Sequence, residues 1–510
     1  MKQPTLALLA LSSLWIAHCG QSVRPELVPP RLRWPLSTAR VATSRPVLRW
    51  IEEDTITPPR DVHVCRDRAM TRDCRVQRAL SLATELAIDA PLETGRWFWT
   101  VTSRGARADA RDTVWQFIAR PGETERNRSW GSRPDFDNDG FDDMLVSSVG
   151  AHGAEVHLVF GGPSLGALRR RRIEAPPHWL LGRRHIHVHE ARHLQDIDGD
   201  GRSEIVVPIG RTNPAADFED ARSAPYLWAF AVLQSRDDFA PSEAVIFPVQ
   251  SSEGLSSVSA VGDLDGDGFG DAIVYDDGEP TRLRACFGSR TGLDPGRCTW
   301  VSLSNVTVAH NFMGRGDSDG DGADEFLFTS SRRGLFEGRV RLGDRARIST
   351  RALVRFEPNQ AATNSPGLID ASGRGEPEFA AFESGTGSVY LAPLVVGLRP
   401  SVIATAGWAW SCHVVDGREG AAGDELFCAT PRTREEFVVR RVFPDATTTH
   451  RTDARVGSFI DLDGDSRSEL VVPTNDPERC SLRVYDSRTF ELRATIEVTE
   501  AQSICNLTLR

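Results

Sequence analysis

One nine-residue acidic pattern recurs along the chain and decides most of what it can fold into. Asp135-Phe-Asp137-Asn-Asp139-Gly140-Phe-Asp142-Asp143 is followed by Asp196-Ile-Asp198-Gly-Asp200-Gly201-Arg-Ser-Glu204 and Asp263-Leu-Asp265-Gly-Asp267-Gly268-Phe-Gly-Asp271. Asp317-Ser-Asp319-Gly-Asp321-Gly322-Ala-Asp324-Glu325 and Asp461-Leu-Asp463-Gly-Asp465-Ser466-Arg-Ser-Glu469 complete the set. All carry acids at positions 1, 3, 5 and 9. Two worn copies lie between them. Asp370-Ala-Ser372-Gly-Arg374-Gly375-Glu-Pro-Glu378 keeps the first and last acids, and a stretch from Asp416 to Asp424 and Glu425 keeps less. The starts at 135, 196, 263, 317, 370, 416 and 461 recur at 45 to 67 residues. Such a period belongs to solenoids, propellers or arrays.

The pattern has readable chemistry. Carboxylate oxygens at positions 1, 3 and 5 can converge on one hard cation, and a glycine at position 6 permits the sharp turn around it. A backbone carbonyl near position 7 and the acid at position 9 can close the shell. Oxygen-only ligation favours Ca²⁺ over Mg²⁺, which keeps its waters. The expected ligands are Asp135, Asp137, Asp139 and Asp143; Asp196, Asp198, Asp200 and Glu204; Asp263, Asp265, Asp267 and Asp271; Asp317, Asp319, Asp321 and Glu325; and Asp461, Asp463, Asp465 and Glu469. That makes up to five structural Ca²⁺ ions. The competing reading is a solvated acidic turn without metal. An EF-hand is excluded, because its closing acid sits at position 12 between helices. Here position 12 is Val146, Val207, Val274, Phe328 or Val472.

Short β-branched runs follow each loop, such as Ile205-Val-Val207 and Leu470-Val-Val472, and others precede it, as in Val258-Ser-Ala-Val-Gly262. Such runs read as strands. A third strand follows (Glu155 to Phe160, Leu283 to Phe287), and a fourth fits before the next loop. Four strands per repeat and seven repeats make the arithmetic of an all-β, seven-bladed β-propeller.

The loops, the Phe-Gly pairs (Phe160-Gly161, Phe287-Gly288) and the period resemble FG-GAP repeats, also called VCBS repeats, the units of integrin-α-like propellers. The resemblance covers residues 125–510. It implies a rigid extracellular display platform used for adhesion and recognition, and it names no ligand.

Residues 28–120 lack the repeat. Leu92-Glu-Thr-Gly95-Arg-Trp97-Phe-Trp99-Thr-Val101 alternates large residues after a turn, and the stretch resembles a small fibronectin type III-like β-sandwich. Trp50, Trp97 and Trp99 are expected in its core, and the module is expected to act as a spacer. Pro121-Gly122 begins a polar linker.

Residues 1–19 read as a signal peptide: Lys2, then an apolar run from Leu6 to Ala17, too short to span as a stable helix. Ile16-Ala17-His18-Cys19-Gly20 resembles a bacterial lipobox in which Cys19 is lipidated, with His18 where a small residue is usual. Ordinary cleavage, releasing a soluble protein, is the alternative. Either way the protein is exported, to the cell envelope or surface. If Cys19 carries lipid, an even eight of the nine cysteines remain. Cys65 and Cys74, Cys286 and Cys298, Cys412 and Cys428, and Cys480 and Cys505 form nearest-neighbour pairs, each worth on the order of 3 kcal/mol if bridged. Connectivity stays open at this level.

A formal charge of −11 excludes a general nucleic-acid binder. Loss of Lys2 makes it about −12, and five divalent ions would bring it to about −2. Membrane contact is expected only through the N-terminal lipid. His185, His187 and His189 share one face of a strand but read as surface, and Arg169 to Arg172 as a solvated hairpin edge. Arg315-Gly-Asp317-Ser318 spells an adhesive tetrapeptide whose aspartate belongs to an acidic loop. No nucleophile elbow, zinc-protease helix or phosphate loop is present. The leading expectation is a calcium-bearing binding or adhesion platform for an extracellular protein or glycan. The alternatives are a lectin, with Trp408 and Trp410 as stacking platforms, and a polysaccharide lyase or hydrolase with scattered catalytic residues.

Overall fold

The computed structural model describes residues 30–119, 134–173, 191–211, 227–248, 256–276, 282–302, 308–317, 323–330, 334–341, 344–354, 364–369, 378–383, 388–394, 401–405, 411–415, 424–431, 437–443, 449–452, 458–474, 480–499 and 503–507, less a few short loop positions within them. Among these residues the chain is β throughout, as the sequence pattern requires. Helix is confined to three-residue turns at Leu165–Ala167, Pro241–Glu243 and Pro295–Arg297. No described helix is long and apolar enough to cross a membrane.

The N-terminal residues form two sheets. Arg31–Trp34, Val47–Ile51 and Glu85–Ala87 make a three-stranded one. Ala39–Val41, Trp115–Ala119, Gly95–Ser103, Arg60–Cys65 and Arg75–Ala79 make a five-stranded one, in that order. Leu32, Leu48 and Trp50 from the first pack on Val62, Val64, Trp97, Trp99, Val101 and Phe117 from the second. The three tryptophans expected in the core are there. Each buried tryptophan removes about 150–250 Å² from water, a gross gain on the order of 4–6 kcal/mol. The period-two expectation for Gly95–Ser103 is modified, because its second face is covered as well: Phe98 packs with Cys65, Met70, Ala108 and Val114. The segments that cover it are the ones that reach the rest of the molecule.

Among the described residues, seven four-stranded antiparallel sheets follow. Six run consecutively in sequence, each opening with an edge strand (Arg192–Leu194, Ser256–Gly262, Val308–Gly316, Asn364–Ile369, Ser411–Val415, Ser458–Ile460). The second strands begin at Glu204, Asp271, Glu325, Glu378, Glu425 and Glu469, the closing acids of the intact and worn loops. Each acidic loop therefore turns the chain from first strand to second, as its flanking β-branched runs imply. The first sheet differs. Met144–Gly150, Gly153–Val159 and Arg170–Ile173 lack a preceding partner, and the missing edge strand is Ser503–Leu507 from the far end of the chain. It pairs antiparallel with Met144–Gly150, Cys505 opposite Ser148.

Apolar clusters join neighbouring sheets and close the circuit. Phe136, Leu158 and Phe160 pack on Ile205 and Leu233 of the second sheet. Met144, Val146 and Val159 pack on Leu462, Val471 and Val484 of the last. The arrangement is propeller-like: a ring of sheets whose hydrophobic cores lie between them.

Cys65–Cys74, Cys286–Cys298 and Cys412–Cys428 are disulfide-bonded, each within one hairpin. Such bonds persist in an oxidising compartment. The side chains of Cys480 and Cys505 lie outside the described residues, as do residues 1–29 with Cys19.

Candidate metal centre

Four loops bring together three carboxylate oxygens within 4.8 Å of one another: Asp135, Asp137 and Asp143; Asp196, Asp198 and Glu204; Asp263, Asp265 and Asp271; Asp461, Asp463 and Glu469. These are positions 1, 3 and 9 of each copy. The position-9 acid has a second task. Asp143 accepts from the Phe136 amide, Glu204 from Ile197 at 2.7 Å, Asp271 from Leu264 at 2.7 Å and Glu469 from Leu462 at 2.9 Å. It thereby ties the end of the loop to its start. The position-1 acid holds the turn: Asp196 accepts from Gly199 at 2.6 Å and Gly201 at 2.9 Å, and Asp263 accepts from Gly268 at 2.7 Å. Gly201 at φ +98° and Gly268 at φ +91° occupy the left-handed region that favours glycine.

Position 5 behaves differently from the other three. Asp139, Asp200 and Asp267 each accept the amide of position 7 (Phe141 at 2.9 Å, Arg202 at 2.8 Å, Phe269 at 3.1 Å) and stand outside the three-oxygen sets. In the fourth loop Asp317, Asp324 and Glu325 are described, whereas Asp319 and Asp321 lie outside the described residues, as does Asp465 of the last loop.

The Phe-Gly pairs have a steric and polar reason. The Gly161 amide donates to Asp143 and the Gly288 amide to Asp271, both at 2.8 Å. A Cβ on Gly288 would stand 2.7 Å from the Ile197 carbonyl and overlap that of Gly270. A Cβ on Gly161 would stand 2.8 Å from the Leu462 carbonyl and overlap that of Asp142. The glycine is thus wedged between its own loop and the preceding sheet's loop. Loops are also linked directly. The position-8 amides of Ser203, Gly270 and Asp324 donate to the position-1 carbonyls of Asp135, Asp196 and Asp263 at 2.7–2.8 Å.

Packing so many carboxylates below the surface is electrostatically costly. Burial, then the charges of neighbouring acids, pushes Asp143, Glu204, Asp263 and Asp271 well above the usual carboxylate range. Asp139 is pushed up to about 6, by burial and the nearby Asp137 and Asp135. Guanidinium groups supply part of the compensation. Arg493 lies 2.9 Å from Asp463 and 3.1 Å from Glu469, and Arg169 pairs with Asp137. In the worn sixth sheet Arg441 lies 2.9 Å from Glu425, both side chains buried. An internal cation there stands beside the acid equivalent to position 9.

The N-terminal module is seated on the first three loops. Arg96 lies 3.3 Å from Asp135 and 3.5 Å from Asp196. Gln116 accepts from Arg96 at 2.9 Å and donates to Asp196 at 2.7 Å. Arg68 donates to the Gly268 carbonyl at 3.0 Å and the Asp267 carbonyl at 3.3 Å, with its guanidinium over the Phe269 ring. Trp115 Nε1 donates to the Gly266 carbonyl at 3.4 Å. Sequence reading missed all four residues. Arg68 and Gly268 are 200 positions apart, and no local motif marks such a pair.

Other singled-out residues are placed as follows. Arg315 turns inward, pairing with Glu337 and donating to the Leu394 carbonyl at 3.0 Å, so the arginine of the adhesive tetrapeptide is engaged within the protein; Ser318 lies outside the described residues. Arg169 to Arg172 lead into and form the outer strand of the first sheet. His185, His187, His189, Trp408, Trp410 and the 121–128 linker lie outside the described residues.

No family model matches the chain, and no curated protein matches it. Solved structures with partial likeness include dihydro-heme d1 dehydrogenase NirN (16% identity, TM-score 0.39, 74% of this chain and 76% of that one). TolB from Acinetobacter baumannii gives 12% identity and a TM-score of 0.31 over 71% of this chain and 81% of that one. Puromycin hydrolase gives 14% identity and a TM-score of 0.36 over 73% of this chain and 56% of that one. At these scores none of their activities transfers to this chain.

Proposed function

We propose that the chain is an exported calcium-binding β-propeller of seven blades, of the FG-GAP or VCBS type, behind a fibronectin type III-like β-sandwich. We propose further that it serves as a binding platform at the cell surface. The boundaries are those of the sequence reading, 28–120 and 125–510, with the leader at 1–19 and Cys19 as its lipid attachment point. One observation carries the metal reading: four sets of three carboxylate oxygens, each within 4.8 Å, at the same positions of four loops. The donor set fits a hard cation, being all oxygen, with Ca²⁺ the better match. Bound Ca²⁺ supplies the positive charge that lets these carboxylates stay ionised below the surface. The chain's own residues do the rest: position 9 pins the loop ends and position 1 pins the turn. A fifth ion belongs to the Asp317–Glu325 loop, and the sixth sheet uses Arg441 in place of one.

Calorimetric titration of chelator-treated protein with CaCl₂ tests the reading. Four or five sites are expected, and an absence of binding heat and of any melting shift overturns it. The platform role rests on the rigidity of the braced ring and the disulfides. A glycan array beside a surface-protein array separates the lectin from the protein-binding form.

A further inference from the structure

We propose that the seat of the N-terminal module on the first three acidic loops is a calcium-dependent joint: cation binding in these loops and docking of the module favour each other, and loss of the cation releases the module. The inference rests on the calcium reading above.

The module touches the loops at features that only a correctly wound loop presents. Arg68 and Trp115 donate to three successive carbonyls at positions 4 to 6 of the third loop, those of Gly266, Asp267 and Gly268. The loop's turn sets the direction of those carbonyls. Glycines leave the room. A Cβ on Gly199 would stand 2.8 Å from Arg68 Cδ, one on Gly201 3.3 Å from Arg96 Cδ, and one on Gly268 would overlap the Val114 carbonyl. Gly201 and Gly268, read from sequence as turn formers, are with Gly199 also contact points for a module far away in the chain.

Charge makes the two events compatible. The acids at positions 1, 3, 5 and 9 with one divalent ion leave a residual of about −2 in each of the first two loops, and the buried Asp142 adds one more negative charge to the first. Arg96 lies between the position-1 acids of two adjacent loops, Asp135 and Asp196, and so answers the residual of both. Gln116, buried and neutral, adds a donor without adding charge. The position-9 acids Asp143 and Glu204 are engaged from within their own loops. Without the ion the carboxylates repel, the turn relaxes and the row of carbonyls loses its alignment. Because coupling is reciprocal, breaking the seat must weaken calcium binding in these loops.

Hydrogen exchange of the full-length protein, read by mass spectrometry in CaCl₂ and in EDTA, tests the joint. Chelation is expected to raise exchange at 66–74 and 113–119, module segments with no predicted metal ligand. The double substitution Arg68→Ala with Arg96→Ala is expected to raise exchange there in saturating calcium. It should weaken the sites in the first three loops at least about fivefold, while the Asp461–Glu469 loop keeps its affinity. Arg96→Gln alone should give a smaller shift of the same sign, which guards against misfolding of the double variant. If calcium binds but chelation leaves 66–74 and 113–119 protected, the joint is overturned and the metal reading survives. If no calcium binds, both fall.

Discussion

Gly288→Ala should destabilise the ring, and the structure sets the scale. The new methyl would sit 2.7 Å from the Ile197 carbonyl and overlap the Gly270 carbonyl. Both are backbone oxygens of neighbouring loops, so no side-chain rotation makes room. Forcing a methyl into packed backbone costs about 1–3 kcal/mol. The shift also strains two hydrogen bonds, Gly288 N to Asp271 at 2.8 Å and Ser289 N to the Ile197 carbonyl at 3.0 Å. The first involves a buried carboxylate, and such bonds contribute about 1.5–3 kcal/mol. Reduced unfolded-state entropy offsets about 0.4–1 kcal/mol. The net loss is about 3 kcal/mol. At about 2.1 cal/mol/K per residue over the roughly 380 residues of 125–510, the melting temperature falls by about 4 °C. Gly166→Ala is the control, because a Cβ there meets nothing within 4 Å. Scanning calorimetry of calcium-saturated wild type and both variants is the assay. If the two variants melt within about 1 °C of each other, the steric account of the Phe-Gly motif is wrong.

Calcium at a hundredfold excess over its dissociation constant should add about 2.7 kcal/mol per site, so EDTA should lower the melting temperature by about 3 °C for each site emptied, and an unchanged melt counts against bound metal. The metal-free protein should lose stability as pH rises above about 4. The folded carboxylates Asp143, Glu204, Asp263 and Asp271 hold protons that their unfolded counterparts release near pH 4. Calcium should abolish or reverse that slope, measured as melting temperature from pH 4 to 8 with and without the ion. Arg441→Leu should cost about 3–5 kcal/mol by leaving Glu425 buried and uncompensated, with recovery in the Arg441→Leu, Glu425→Leu double variant, read by urea denaturation. Peptide mapping under non-reducing conditions should recover Cys65–Cys74, Cys286–Cys298 and Cys412–Cys428 as linked pairs.

The sequence by itself determined the all-β class, the strand on either side of each intact internal loop, and the acids that converge. These properties are local. A carboxylate at positions 1, 3 and 9 and a glycine at position 6 act within nine residues, and alternating β-branched runs declare strands without knowledge of the rest. It also determined the three tryptophans of the N-terminal core, and it offered nearest-neighbour cysteine pairs while leaving connectivity open; the structure bonds three of those pairs, each within a hairpin that brings near neighbours opposite one another. Position 5 was only half legible: its acid is in the loop, but it caps an amide instead of joining the three-oxygen set. Tertiary structure alone decided how the ring closes, with Ser503–Leu507 filling the empty edge beside Met144–Gly150. It alone decided that Arg441 stands beside Glu425 in a worn loop, and that the N-terminal module sits on the acidic loops through Arg68, Arg96, Trp115 and Gln116. Those contacts join residues from 16 to hundreds of positions apart. A guanidinium meeting a distant carboxylate leaves no periodicity, spacing or composition for sequence reading to detect, because its only cause is the fold that brings the two together.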